Sequence, residues 1–371
     1  MTNETNQQEK KPNAFRRFLA RKDIEFSAKR YGIDALGAMA LGLFGSLLIG
    51  TIFKAIGLIP GFAFFATIGG YARAASGAAM AIAIAYALKA PALVLFSSAA
   101  VGCAANALGG GGGPLAVLII AIIAVEIGKL VSKTTPVDIL VTPFVTIFVG
   151  VGLSLLTAGY IGQLVVFLQQ FIGWATEQAP FVMGILVSVV IGMALTLPIS
   201  SAAICAALSL TGAGAVENAH GLALAGAAAI AGCCAQMVGF AVMSFKENRF
   251  AGLLSQGLGT SMLQMPNIVR NPLVWLPPII ASAITGPLAT CFFKLEMHGT
   301  AIFSGMGTCG MLGPVGLILG WTNEGGQTPG ISQWLGLILI CFLLPALICL
   351  GLSKLMRRLG WIKEGDLKLN L

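Results

Sequence analysis

From Ile33 to Arg357 the chain is a succession of apolar runs, each close to the length that crosses a bilayer, joined by loops too short to hold a domain. A hydrocarbon core about 30 Å thick needs about 20 apolar residues of helix. Such runs lie near 35–58, 74–88, 91–108, 114–131, 136–158, 180–198, 219–244, 273–294 and 334–356. Only 10% of residues are charged and 57% are hydrophobic, against about 25% charged in an ordinary soluble domain. A 371-residue soluble protein has too little interior to hide that much apolar surface. The composition equally excludes a disordered chain. The fold class expected is an all-α integral membrane protein.

Two further stretches fit less well: 199–213 is short, and 299–320 is rich in Gly. The basic residues arbitrate. Eight precede Tyr31, from Lys10 to Arg30, and five lie in the tail from Lys354 to Lys368. Lys and Arg favour the cytoplasmic side, so both ends are expected there. If 199–213 crosses and 299–320 dips in and returns as a re-entrant element, ten crossings result. Lys89, Lys129, Lys133, Lys246, Arg249 and Arg270 then all lie inside, leaving Lys54, Arg73 and Lys294 outside. Exchanging the roles of the two stretches would put Lys246 and Arg249 outside. The expected organisation is a basic interfacial segment (1–33), a first membrane half (34–158), an amphipathic interfacial helix (159–179), a second membrane half (180–356) and a basic cytoplasmic tail (357–371).

Local chemistry marks several elements. Residues 15–31 mix aromatics with cations, which suits one helix lying on the inner leaflet rather than a cleavable signal. Thr135-Pro136-Val137-Asp138 reads as N-cap, N1 proline and a first-turn carboxylate, which accounts for Asp138 structurally. Asn271-Pro272 repeats the cap-plus-proline pattern. In 160–175 the apolar residues Ile161, Leu164, Val165, Leu168, Phe171 and Ile172 share one helical face, expected on the outer surface; 250–268 is an interrupted inner counterpart. All eight cysteines sit in apolar sequence without a C-x-x-C pair or a companion His, so no metal site is expected and they read as small core residues. No nucleic-acid motif accompanies the net charge of +8.

The chemistry is sought where helices break. Paired Gly/Pro-interrupted segments, one per half, point to a transporter site, because unwound backbone can hold a ligand at membrane depth. Asn106 followed by Gly109 to Gly113 and Pro114 is the first, readable as a tight turn or as part of a site. The second, with Gly305, Gly307, Thr308 and Gly310, reads as re-entrant. Ser200 and Ser201 follow Pro198 and either face a ligand or satisfy the kink. Ionisable groups in apolar sequence default to functional hypotheses. Of these, Glu126 with Lys129 reads as an interfacial pair, and Glu217 with His220 as an aqueous loop. Glu296 and His298 directly precede the re-entrant stretch, and Gln236 should face protein. The candidate solute-binding residues are Asn106, Ser200, Ser201, Gln236, Glu296, His298 and Thr308, with Gly109, Gly113, Gly305, Gly307 and Gly310 as backbone elements. No Walker A, G-x-S-x-G or H-E-x-x-H sequence occurs, so neither a self-contained catalytic set nor a cofactor is expected.

The stretches KRYGIDALGAMALGLFGSLLIGTIFK, SKTTPVDILVTPFVTIFVG, LPISSAAICAALSL, AGCCAQMVGFAV and SGMGTCGMLGPVG resemble the phosphotransferase-system EIIC-like membrane proteins, the group that includes the perfringolysin O regulators. The similarity runs over roughly residues 15–355. It implies a sugar-permease type of fold in a bacterial cell membrane, a homodimer, and a separate cytoplasmic IIB-like partner as the source of any phosphate. Relatives are either permease subunits or regulators. The Gly-Ile-Thr-Glu type of motif whose Glu meets the sugar in better-known permeases is absent, so no sugar contact carries over. Neither a IIB cysteine segment nor a IIA histidine segment is recognisable in these 371 residues. The expected function is binding and translocation of a small polar solute, with sensing or regulation without transport as the alternative. A passive channel would want rings of charge that the sequence lacks.

Overall fold

The computed structural model describes residues 14–57, 61–197, 200–213, 217–322 and 329–369, and among these every regular element is helical. Helix α1 (Ala14–Arg21) stops at Asp23, whose φ of 52° is left-handed, and 24–27 carry no regular structure. The single surface helix expected over 15–31 is therefore broken.

In the first half, α2 (Ala35–Leu43) and α3 (Ile49–Ile56) form one span through a wide turn at Phe44–Leu48. Next come α4 (Phe64–Ala74) and α5 (Ser76–Ala87), which meet at a 45° bend. Hydropathy starts this span at residue 74 and leaves Arg73 in an outer loop; helix instead begins ten residues earlier, and Arg73 sits beside the bend. Helices α6 (Ala92–Leu108), α7 (Gly113–Val131) and α8 (Asp138–Leu153) follow. Thr135 does not cap α8: the N-cap is Val137, and Asp138 Oδ1 instead accepts from the Lys133 amide at 2.7 Å and the Thr142 hydroxyl at 2.6 Å. A wide turn at Ser154–Ala158 carries α8 straight into α9 (Gly159–Gln178), a continuous rod of 41 residues rather than two separate helices. Its large apolar side chains, Leu164, Phe167 and Phe171, point outward, whereas Gly162, Val165, Gln169, Gly173 and Thr176 face protein. In a membrane, large apolar groups lose nothing by facing lipid, and small residues let helices approach.

The second half is built on α10 (Pro180–Thr196), α11 (Ser201–Ala207) and α12 (Ala219–Met243). Then come α13 (Phe245–Leu254), α14 (Met265–Arg270), α15 (Leu276–Pro287), α16 (Leu312–Thr322), α17 (Ile331–Ile338) and α18 (Leu344–Arg358). Asn271 does cap its helix, accepting from the Leu273 amide at 3.2 Å with Pro272 in the first turn. Helix α12 is apolar on every side and buried along almost its whole length, which makes it the hub of this half. Small residues permit that burial: a Cβ at Gly232 would overlap the Ser188 backbone of α10, and one at Gly286 the Gly184 carbonyl.

Among the described residues six helical runs are long and apolar enough to cross a membrane, or seven with the bent α4–α5 pair, and α6 and α10 are shorter apolar helices. The chain is a multi-pass helical membrane protein. One expected crossing takes a different form. Residues 200–213 contain only the seven-residue α11, about 10 Å of helix, so they supply no ordinary spanning helix; Pro198 and Ile199 lie outside the described residues. The 299–320 stretch folds back on itself against α12. Gly307 packs on Cys233 near the middle of α12, Gly313 on Ile230, and Gly320 returns to His298 and Gly299. Glu126 and Lys129 pair at 3.1 Å as expected, but inside the protein rather than at its surface. Lys129 Nζ also donates to the Asp23 and Leu88 carbonyls at 2.6 and 2.9 Å, which ties the N-terminal segment to the first half.

Candidate functional site

A cavity of about 600 Å³ lies where the two halves meet. The first half contributes Leu47, Thr51 and Lys54 from the α2–α3 span, Arg73 from α4, and Gly110, Gly111 and Pro114 from the α6–α7 turn. Helix α9 adds Val166 and Gln169. The second half closes it with Ala206, Ser209 and Thr211, with Leu222 of α12, and with His298 to Ile302. Hydroxyls, backbone amides and three basic side chains thus line a space at the ends of several helices, the geometry expected of a small-solute site.

Each wall has a local cause. The five-glycine run makes a tight turn, Gly110–Gly112, in which Gly110 has φ +53° and so needs glycine. That turn lies under α9, since a Cβ on Gly162 would press on the Gly109 carbonyl. Beyond α11, the Ser209 hydroxyl donates to the Gly111 carbonyl, linking the halves. Thr211 Oγ1 donates to the Gly299 carbonyl at 2.7 Å, and Ser304 Oγ to the Leu210 carbonyl at 2.7 Å, so α11 and the re-entrant stretch hold one another. Across the cavity the Thr51 and Thr300 hydroxyls stand 3.4 Å apart.

At its edge the Glu296 carboxylate is clamped between two imidazoles, His298 Nε2 at 2.8 Å and His220 Nδ1 at 3.2 Å. Hydrogen bonding to His298 holds its carboxyl below the ordinary 4.5; partial burial works against this and the neighbouring imidazoles add to it.

Of the residues singled out from the sequence, His298 lines the cavity and Glu296 supports it. The others lie elsewhere. Asn106 packs under Gly113 at the α6–α7 turn, and Gly109 meets Ala105 and Ala116. Ser200 caps α11 by accepting from the Ala203 amide at 3.1 Å, and Ser201 Oγ donates to the Gly305 carbonyl at 2.6 Å. Gly305 thereby lies against the Ser201 backbone, Gly307 (φ +53°) against Cys233, and Gly310 (φ +52°) turns the chain into α16. Gln236 belongs to a separate buried network: Oε1 accepts from Trp275 Nε1 at 2.9 Å and Thr196 Oγ1 at 3.2 Å. The Thr308 hydroxyl is buried with no partner among the described residues.

Sequence reasoning missed Lys54, Arg73, Thr51, Gln169, Ser209, Thr211 and Thr300. A signal existed for Gln169, because 162, 165, 169, 173 and 176 form a helical stripe of small and polar residues. Arg73 was hidden by the misplaced start of its span. A second cavity of about 560 Å³, between α12, α13 and α18, is walled mainly by apolar side chains and belongs to one half alone. Among the described residues no group of His, Cys, Asp and Glu could hold a metal ion.

Residues 33–369 match the family model described as phosphotransferase system, EIIC. A comparison with curated proteins gives no match.

Proposed function

The chain belongs to the phosphotransferase-system EIIC family, and on that premise we propose that the cavity between its halves binds a small polar solute and passes it across by alternating access. Members are multi-pass bacterial membrane proteins, the permease component of a sugar phosphotransferase system, and work with separate IIA and IIB components. The observation that carries the reading is the cavity's construction. Its walls come from both halves, including the residues just after α11 and the 298–302 segment, so a shift of one half against the other changes its access. A phosphoryl group, if the solute receives one, comes from a IIB-like partner.

Ten crossings with both ends cytoplasmic fit the contacts. The N-terminal segment meets the 88–90 and 129–133 loops, and the tail packs on 248–271. Helix α10 runs parallel to α12, with Gly192 on Gly232, so the chain returns to the side on which α10 starts before α12 begins, and α11 is the helix described on that return. A homodimer follows the family expectation, and molecular mass in mild detergent tests it.

The direct test uses purified full-length protein with panels of sugars, polyols and sugar acids. A solute that raises the melting temperature should also move across proteoliposomes bearing the protein. Binding without flux would favour the sensor reading, and no response to any solute in either assay refutes a solute permease.

A further inference from the structure

Arg73 and Lys54 give the cavity a character that a sugar-permease reading does not contain. Helix α4 lies antiparallel to α3: Ala66 packs on Gly57 at the end of the span, and Gly69 and Arg73 pack on Gly50, two turns deeper. Arg73 is thus carried about 10 Å in from the α3 end, at a bend in a membrane-spanning pair. A guanidinium at that position is expensive unless it faces water or a ligand, and such residues mark solute pathways by default. It lines the cavity, with Lys54 on the same wall.

The counter-charge is missing from the walls. No Asp or Glu is among the lining residues, and neither Lys54 nor Arg73 forms an ion pair with a described residue. The nearby Glu296 carboxylate is already committed to His298 and His220. Around the cations stand the hydroxyls of Thr51, Ser209, Thr211 and Thr300. A neutral polyol uses the hydroxyls and leaves the two exposed cations to water. A solute with an anionic end and a hydroxylated body uses both.

Resting on the permease reading above, we propose that this cavity selects anionic polyhydroxylated solutes of the sugar-acid class, the carboxylate held by Arg73 and Lys54 and the hydroxylated carbons by the threonine and serine side chains. Arg73 presents a planar fork that matches a carboxylate, and Lys54 adds a point charge.

The test measures binding to the full-length protein in detergent, with gluconate and glucuronate against sorbitol and glucose. Gluconate should bind at least about tenfold more tightly than sorbitol, and its affinity should fall as salt rises while that of sorbitol does not. R73Q and K54Q should each weaken gluconate about tenfold and lower its preference over sorbitol by a similar factor, with R73K intermediate. The unliganded melting temperature of each variant shows whether the fold survives, and the salt response of the native protein carries the test if R73Q does not fold. Equal or tighter binding of sorbitol, or gluconate binding indifferent to salt and to R73K and K54Q, overturns the anion assignment while leaving the permease reading standing. Silence from all four solutes overturns the assignment as well, and with no flux of any panel member the permease reading falls too.

Discussion

Gly305→Ala probes the joint on which the second half is assembled. The Gly305 backbone lies against that of Ser201, so an added Cβ would sit 2.5 Å from the Ser201 carbonyl carbon and 2.7 Å from the Ala202 amide nitrogen. Both obstacles are main chain, so no rotamer change relieves them. The segments must part by roughly 1 Å, since ordinary non-bonded carbon contacts lie at about 3.5–4.0 Å. Overpacking of this kind costs about 1–3 kcal/mol. Separation also lengthens the 2.6 Å bond from Ser201 Oγ to the Gly305 carbonyl, adding about 1 kcal/mol. The expected loss is about 2–4 kcal/mol, read as a fall of several degrees in melting temperature of the purified protein in detergent. Gly351→Ala is the control. Gly351 lies on the exposed face of α18 with nothing within 4 Å of its added Cβ, so alanine there should be neutral or stabilising by up to about 1 kcal/mol. If G305A melts with the native protein while retaining solute binding, α11 and the re-entrant stretch are not packed as described.

The Glu296 clamp makes stability pH-dependent. Its carboxyl is held below 4.5 in the fold, so the clamp's contribution is complete above that value and is lost as pH falls through the lower folded value. The native protein should lose melting temperature below about pH 4.5 more steeply than E296Q, and parallel profiles would remove Glu296 from the account. Gln236→Leu leaves Trp275 Nε1 and Thr196 Oγ1 without their shared acceptor, at a cost of about 1–3 kcal/mol. Solute affinity should be unchanged in Q236L, and a loss of affinity at constant melting temperature would move Gln236 into the site. For sidedness, Lys246→Cys and Glu217→Cys, both exposed, are compared in a background lacking Cys103. A membrane-impermeant maleimide added to whole cells should label position 217 and spare 246; the reverse pattern inverts the topology.

Element positions were legible wherever apolar length alone decides them. The limits of α6, α7, α10 and α12 lie within two residues of the runs read from the sequence, because hydrocarbon imposes one period and one length. Legibility failed where a helix is interrupted by something other than Gly or Pro. Nothing around Arg73 in YARAASG says that helix precedes it; the signal would have been the close Gly50–Gly69 approach, which exists only once α3 and α4 pair. The amphipathic face of α9 misled in a related way, since its apolar stripe is what lipid takes and its small-residue stripe is what protein takes. The glycine breaks at 109–113 and 305–310 did mark the neighbourhood of the site, yet most side chains chosen beside them serve backbone caps and joints instead. Ser200, Ser201 and Asn106 are consumed in making the breaks possible.

That division of labour bears on how the cavity could change its access. The bonds from Ser201 to Gly305, Ser304 to Leu210 and Thr211 to Gly299 all run between α11 and the 297–305 segment, so these two short pieces move as one body. Their ties to α12 include Met297 N to the Ala223 carbonyl at 3.0 Å and Cys233 Sγ to the Ser304 carbonyl at 4.0 Å. Against the first half the same body presents Ala202, Ala203, Ala206, Ile302 and Met306 to a cluster that includes Met39, Leu43, Met80 and Val117. Polar ties across that boundary include Ser209 to the Gly111 carbonyl and the 3.4 Å Thr51–Thr300 approach. Small apolar side chains slide over one another at little cost, because the dispersion attraction given up at one position is recovered at the next, whereas a directed hydrogen bond is not replaced in this way. The displacement proposed above would therefore run at little cost along the boundary between the first half and the α11–297–305 body, whose Ala206 and Ile302 also line the cavity.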